Sequence, residues 1–132
     1  MPADLDRQFA RYNLPDHGNL IANLIRWASK DNIPLNAECA GLLDCNIYTK
    51  ANNLIIHIVN LTSSGTWRQP VDEYIPVGPV RIKLKLPWEA KGNTLKLLVS
   101  RQTIPYDLNG GWAEFTINSV TDHEVAVIQA ST

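Results

Sequence analysis

The sequence predicts a mainly β protein: an antiparallel β-sandwich of about seven strands with one N-terminal amphipathic α-helix. Two observations carry this expectation. The spacing of apolar residues changes from the 3.6-residue period of a helix to the two-residue period of strands near residue 34. After residue 40, short apolar runs alternate with turn-forming segments, as in all-β proteins of two packed layers.

The helix is read first. In LPDHGNLIANLIRWASKDNIP, residues Leu20, Ile21, Leu24, Ile25, Trp27 and Ala28 recur on one stripe, with Asn23 and Arg26 off it. Asn13 or Asp16 is placed to cap the start, and Pro15 suits the first turn, where its missing N–H costs nothing. Asp31, Asn32 and Pro34 close the segment, giving a helix over residues 15–30. The expected division is a helical segment over 1–36, packing on the sandwich or on a partner, and a sandwich over 37–132.

The strands follow in order. LLDCNIYTK and NLIIHIVNLT are joined at Ala51-Asn52-Asn53. The second is apolar on both faces, so a central strand covered on both sides is expected. VRIKLKL alternates, with Val80, Ile82, Leu84 and Leu86 inward and the basic row Arg81, Lys83 and Lys85 toward solvent. TLKLLVS, IPYDL, WAEFTI and HEVAVIQA complete the set. Asn109-Gly110 suits a type I′ hairpin, because both central residues need positive φ. Between the second and third strands, within GTWRQPVDEYIPVGPVRIK, Thr66 to Pro79 form a long excursion stiffened by Pro70, Pro76 and Pro79 and read first as a domain-contact loop and second as a ligand loop.

Composition bounds function. The 132 residues hold 45% hydrophobic and 19% charged residues, as in a soluble globular domain. A net charge of −1 lacks the basic excess that nucleic-acid binding needs, and no run of apolar residues is long enough to span a membrane. The opening MPADLDRQFARYN has no signal-peptide core. Cys39 and Cys45 match neither a disulfide framework nor a metal knuckle and are read as buried or half-buried thiols, with a disulfide between them as the lesser alternative.

Few residues suggest chemistry. No phosphate loop, serine elbow or metal-ligand spacing is present, so no catalytic residue, metal or cofactor is assigned. His57, between Ile55 and Val59, is expected to be a core histidine; His17 and His123 sit at a helix start and a turn. The adjacent acids Asp72 and Glu73 point to opposite sides of an extended chain and suit a salt bridge with Arg68 or Arg81 better than glycosidase work. Asn60-Leu61-Thr62 matches an N-glycosylation acceptor at the end of a buried strand. Carbohydrate binding would use Trp67, Arg68, Trp88 and Trp112, since flat aromatic rings stack on sugars.

The order LPDHGNLIANLIRWA, LLDCNIY, NLIIHIVNLT, TWRQPVDEYIPVGPVRIKL and the closing GGWAEFTI…TDHEVAVIQ resembles the C-terminal region of bacterial β-galactosidase-type glycoside hydrolases and their relatives. The resemblance implies that residues 15–30 are similar to the last helix of a trimerisation-type α/β domain, with the terminal β-sandwich after it. The catalytic carboxylates of such enzymes lie on a barrel that this sequence lacks, so none is carried over. The implied role is a non-catalytic accessory or interaction domain. Its helix stripe (Leu20, Leu24, Ile25, Trp27) would serve as an interface, and its partners would be a second copy, a glycoside hydrolase catalytic domain or a carbohydrate.

Overall fold

The computed structural model describes residues 4–12, 14–62 and 73–130. It divides into two compact units, Met1–Ile33 and Pro34–Thr132.

Among its described residues the first unit holds two helices where one was expected. Helix α1 (Leu5–Tyr12) precedes α2 (Pro15–Ser29). Its short sequence shows little apolar periodicity beyond Leu5 and Phe9, and it depends on its neighbour: Phe9 lies so close to Gly18 that a methyl group there would meet the ring at 2.8 Å. Pro15 occupies the first turn as predicted. The N-cap position falls on Leu14, which provides no side-chain cap, so Asp16 does not cap the helix; Asn13 lies outside the described residues. The chain leaves α2 through Lys30 in the left-handed conformation, whose N–H bonds back to Trp27, followed by Asp31 at φ 56°.

The second unit is an antiparallel sandwich. One sheet has the order β1 (Leu35–Glu38), β4 (Val80–Lys85), β8 (Trp112–Ile117), β7 (Asp107–Asn109). The other runs β2 (Leu43–Lys50), β3 (Asn53–Asn60), β9 (His123–Gln129), β5 (Thr94–Leu97), β6 (Gln102–Pro105). Nine strands stand among the described residues where about seven were expected. Strand β1 was missed because it offers only Leu35 and Ala37 as inward residues. The run IPYDL divides at Tyr106, where the chain passes from one sheet to the other. Tyr106 is buried at that corner; its N–H is bonded to Asn93 O and its O–H to Gly92 O at 2.7 Å.

Alternation fills the core. Val80, Ile82, Leu84, Ala113, Phe115 and Ile117 face Leu54, Ile56, Ile58, Leu95, Leu97, Ala126 and Ile128, all buried. Each large aliphatic chain so enclosed contributes about 1.5–3 kcal/mol. Cys39 and Cys45 pack at the margin of this core as free thiols, and burial pushes the Cys45 thiol upward. Strand β3 is central, as expected, but its outer face is only half-covered. His57 is exposed rather than a core residue, because the second sheet covers the opposite face; it meets Tyr48 edge-to-face at 5.3 Å. The hairpin between β7 and β8 is shifted by one residue: Asn109 pairs with Trp112, and Gly110 and Gly111, at φ 57° and 80°, are its central residues.

Two buried polar side chains close the ends of the core. Asn60 is 7% exposed, and its Nδ2 donates to the carbonyls of Ile75, Val120 and Thr121, while its Oδ1 accepts from Thr62 N–H. This single amide ties both ends of the excursion after β3 to the loop before β9. The Thr62 hydroxyl adds a bond from Leu42 N–H at 3.0 Å. Beside it, Gly78 passes so close to the backbone of Asn118 and Ser119 that no side chain fits.

Glu124 is the second closure, 3% exposed. Its carboxylate accepts the N–H groups of Val99, Ser100 and Val125 at 2.8–3.0 Å. Those bonds hold the turn after β5, which is why TLKLLVS stops being a strand at Leu97. Burial by itself would raise this carboxyl; the bonds from the Ser100 side chain and the three N–H groups outweigh it and hold the carboxyl below its ordinary range.

Two outcomes are expected. Asn60→Asp replaces a donor facing three carbonyls by an acceptor of the same size and should cost about 3 kcal/mol or more in urea unfolding; wild-type stability in that variant would contradict the role given to Asn60. For Glu124, a depressed folded pKa means that stability is present above the ordinary carboxylate pKa and is lost as pH falls through the lower folded value. The stability gap between wild type and Glu124→Gln should therefore be full at neutral pH and shrink below about pH 4. A gap independent of pH would contradict it.

Candidate functional site

The outer face of the four-stranded sheet is the richest assembly of functional side chains among the described residues. Strand alternation turns every second residue of β1, β4 and β8 outward, and the register aligns them in rows. Glu38 lies opposite Arg81, and Arg81 opposite Thr116. In the next row Asn36, Lys83, Glu114 and Asp107 follow one another across four strands. The third row sets Lys85 opposite Trp112 and Trp112 opposite Asn109.

The rows are joined by specific contacts. Lys83 Nζ stands 2.7 Å from Glu114 Oε1, with both side chains about half exposed, so the pair orders the face more than it stabilises the fold. Lys83 and Lys85 extend their ammonium groups over the Trp112 ring, 5.6 and 6.0 Å from its centre. Asn36 Nδ2 donates to Glu38 Oε1 at 2.8 Å. Arg81 makes no ion pair among the described residues.

This face presents donors and acceptors but is poorly arranged for hydrolysis. Asp107 and Glu114 are cross-strand neighbours, yet both are exposed and Glu114 is engaged by Lys83. A general acid for glycosidic cleavage works in a site that excludes water, which an open sheet face does not supply. No group of three or more His, Cys, Asp or Glu side chains that could hold a metal occurs among the described residues.

The residues singled out from the sequence are not all brought together. Trp112 lies on this face, half-buried under its two lysines. Trp88 packs against the core instead, and its buried Nε1–H has no partner among the described residues. Trp67, Arg68 and Asp72 lie outside the described residues; Glu73 is exposed without an ion pair among them. On α2, Leu20, Leu24 and Ile25 are exposed and Trp27 is 81% exposed. In the sequence the row Arg81, Lys83, Lys85 has the pattern of a plain solvent face. Its acidic partners Glu38 and Glu114 come from strands distant in sequence, and only strand register reveals them.

No family model matches the chain, and no curated protein matches it in sequence. Its fold is similar to part of the α-L-fucosidase isoenzyme 2 of Paenibacillus thiaminolyticus, with a TM-score of 0.79 and 16% identity over 97% of this chain and 20% of that one. It is also similar to part of a Paenibacillus sp. cycloisomaltooligosaccharide glucanotransferase solved with cycloisomaltoheptaose. There the TM-score is 0.54 and identity 13%, over 70% of this chain and 16% of that one. The chain thus spans about a fifth or less of the length of either neighbour, and what it shares with them is fold alone.

Proposed function

We propose that the chain is a non-catalytic accessory or interaction domain of glycoside-hydrolase type, working beside a catalytic domain rather than cleaving sugars itself. The observation that carries this reading is the breadth of the fold match. Almost all of this chain, leading helices included, aligns with one fifth of a fucosidase chain, which supports reading it as a module that works beside others. The resemblance to the C-terminal region of β-galactosidase-type enzymes supports the same placement. The two structural neighbours bear the names of other carbohydrate-active enzymes, so the reading is of glycoside-hydrolase type in general and names no sugar.

In this reading the stripe Leu20, Leu24, Ile25 and Trp27 is the docking surface, and a glycoside hydrolase catalytic domain is its partner. Leu20, Leu24 and Trp27 recur on one helix face and Ile25 lies to its side, all exposed, and apolar chains of this size form a larger patch than an isolated domain usually keeps. A carbohydrate-binding role is the second reading, favoured by Trp112 and the polar rows around it.

Highly purified protein should release no nitrophenol above background from a panel of nitrophenyl glycosides; robust turnover that follows the protein through purification would overturn the non-catalytic reading. Leu24 is 44% exposed, so Leu24→Asp should shift the melting temperature of the chain by no more than a few degrees. The same variant should weaken capture of a co-expressed catalytic barrel by tenfold or more, and undiminished capture would remove the stripe from the interface. Dimerisation of the wild type that Leu24→Asp abolishes would assign the stripe to a second copy instead.

A further inference from the structure

The outer face of the four-stranded sheet has a notch that packing does not require. Strand β7 pairs with β8 only from Trp112 to Glu114. Beyond that point the chain has turned away at Tyr106 into the other sheet, so Phe115–Ile117 have no strand partner on that side among the described residues. The notch deepens the face into a groove of about 650 Å³. That volume lies within the ~300–1,000 Å³ of small-molecule sites.

The chemistry of the lining restricts the ligand. Two cations, Arg81 and Lys83, stand among three acids, Glu38, Asp107 and Glu114, so the groove has no excess of positive charge to attract a phosphate or a polyanion. Of the apolar residues in the lining, Ile82, Tyr106 and Phe115 are buried, which leaves Ile104 and Pro105 as the accessible apolar side chains beside the polar rows, a small surface for a lipid. A neutral molecule with many hydroxyl groups matches it, because each hydroxyl both donates and accepts, and neighbouring hydroxyls can bridge a carboxylate and a cation.

We propose that this groove binds a short stretch of a neutral oligosaccharide. Glu114 and Asp107 accept from adjacent hydroxyls of one sugar ring, Arg81 and Lys83 donate to their oxygens, and Thr116 can do both. Trp112, next to Glu114 on the outward face of β8 and outside the groove's lining, holds Lys83 and Lys85 over its ring. The inference rests on the accessory-domain reading and gives such a domain a purpose, which is to hold the polymer near a catalytic partner.

The test is a titration of the full ¹⁵N-labelled chain with maltoheptaose, cellopentaose, xylopentaose and cycloisomaltoheptaose, each to about 10 mM, which detects millimolar binding. At least one probe should give saturable shifts at the amides of residues 81–83, 107 and 114–116. Arg81→Ala and Glu114→Gln should each weaken that affinity about tenfold, the loss of one or two charge-assisted hydrogen bonds, while Leu24→Asp leaves it unchanged. Absence of saturable shifts with all four probes, shifts confined to other surfaces, or unchanged affinity in both groove variants would overturn the proposal. So would binding of oligogalacturonate alone, which would make the ligand an anion. Anomeric proton signals in the same samples separate the two readings: hydrolysis of a probe would sink the accessory role, whereas no binding and no hydrolysis would sink the groove alone.

Discussion

Everything in the sandwich depends on a two-residue period kept in step across two sheets. Val80, Ile82 and Leu84 on one side and Leu54, Ile56 and Ile58 on the other can meet only if both strands keep register along their length. A slip of one residue would turn Arg81 and Lys83 into the core and expose Ile82 and Leu84. The polar outer face is therefore the other half of the same constraint. The register that seals the aliphatic layer also sets Glu38, Lys83, Glu114 and Asp107 in rows.

Apolar alternation cannot close the ends of such a core, because the chain must turn there and leave backbone groups without strand partners. Asn60 and Glu124 solve this in complementary ways. One presents an amide to three carbonyls, and the other presents a carboxylate to three N–H groups. Each lies on an inward position of its strand, where an apolar residue would continue the pattern. Both are buried polar groups whose hydrogen bonds are made, and such groups specify one arrangement of loops among many.

The parts of this fold that were legible in the sequence are those written in periodic apolar residues. VRIKLKL, WAEFTI, HEVAVIQA and the stripe of α2 carry enough large side chains for the period to stand out. Strand β1 lacks them, and α1 depends on a contact between Phe9 and Gly18 that no local pattern announces. IPYDL reads as one strand because its division is caused by a bond from Tyr106 to a distant carbonyl. His57 was misplaced because apolar neighbours report that a strand is central, not that both its faces are covered. The candidate site was half visible: its basic residues stand together in one strand, while its acids are scattered over three others and meet them only through register.

The burial of Asn60 has a consequence for how this chain can be produced. Asn60-Leu61-Thr62 has the form of an acceptor for oligosaccharyltransferase, but in the folded domain its amide nitrogen is enclosed and committed to three carbonyls. A glycan transferred to the nascent chain would occupy that nitrogen before those bonds form. A eukaryotic secretory host would thus divide its output between unmodified molecules that mature and modified ones that cannot, and only a cytosolic or bacterial host would give a uniform product.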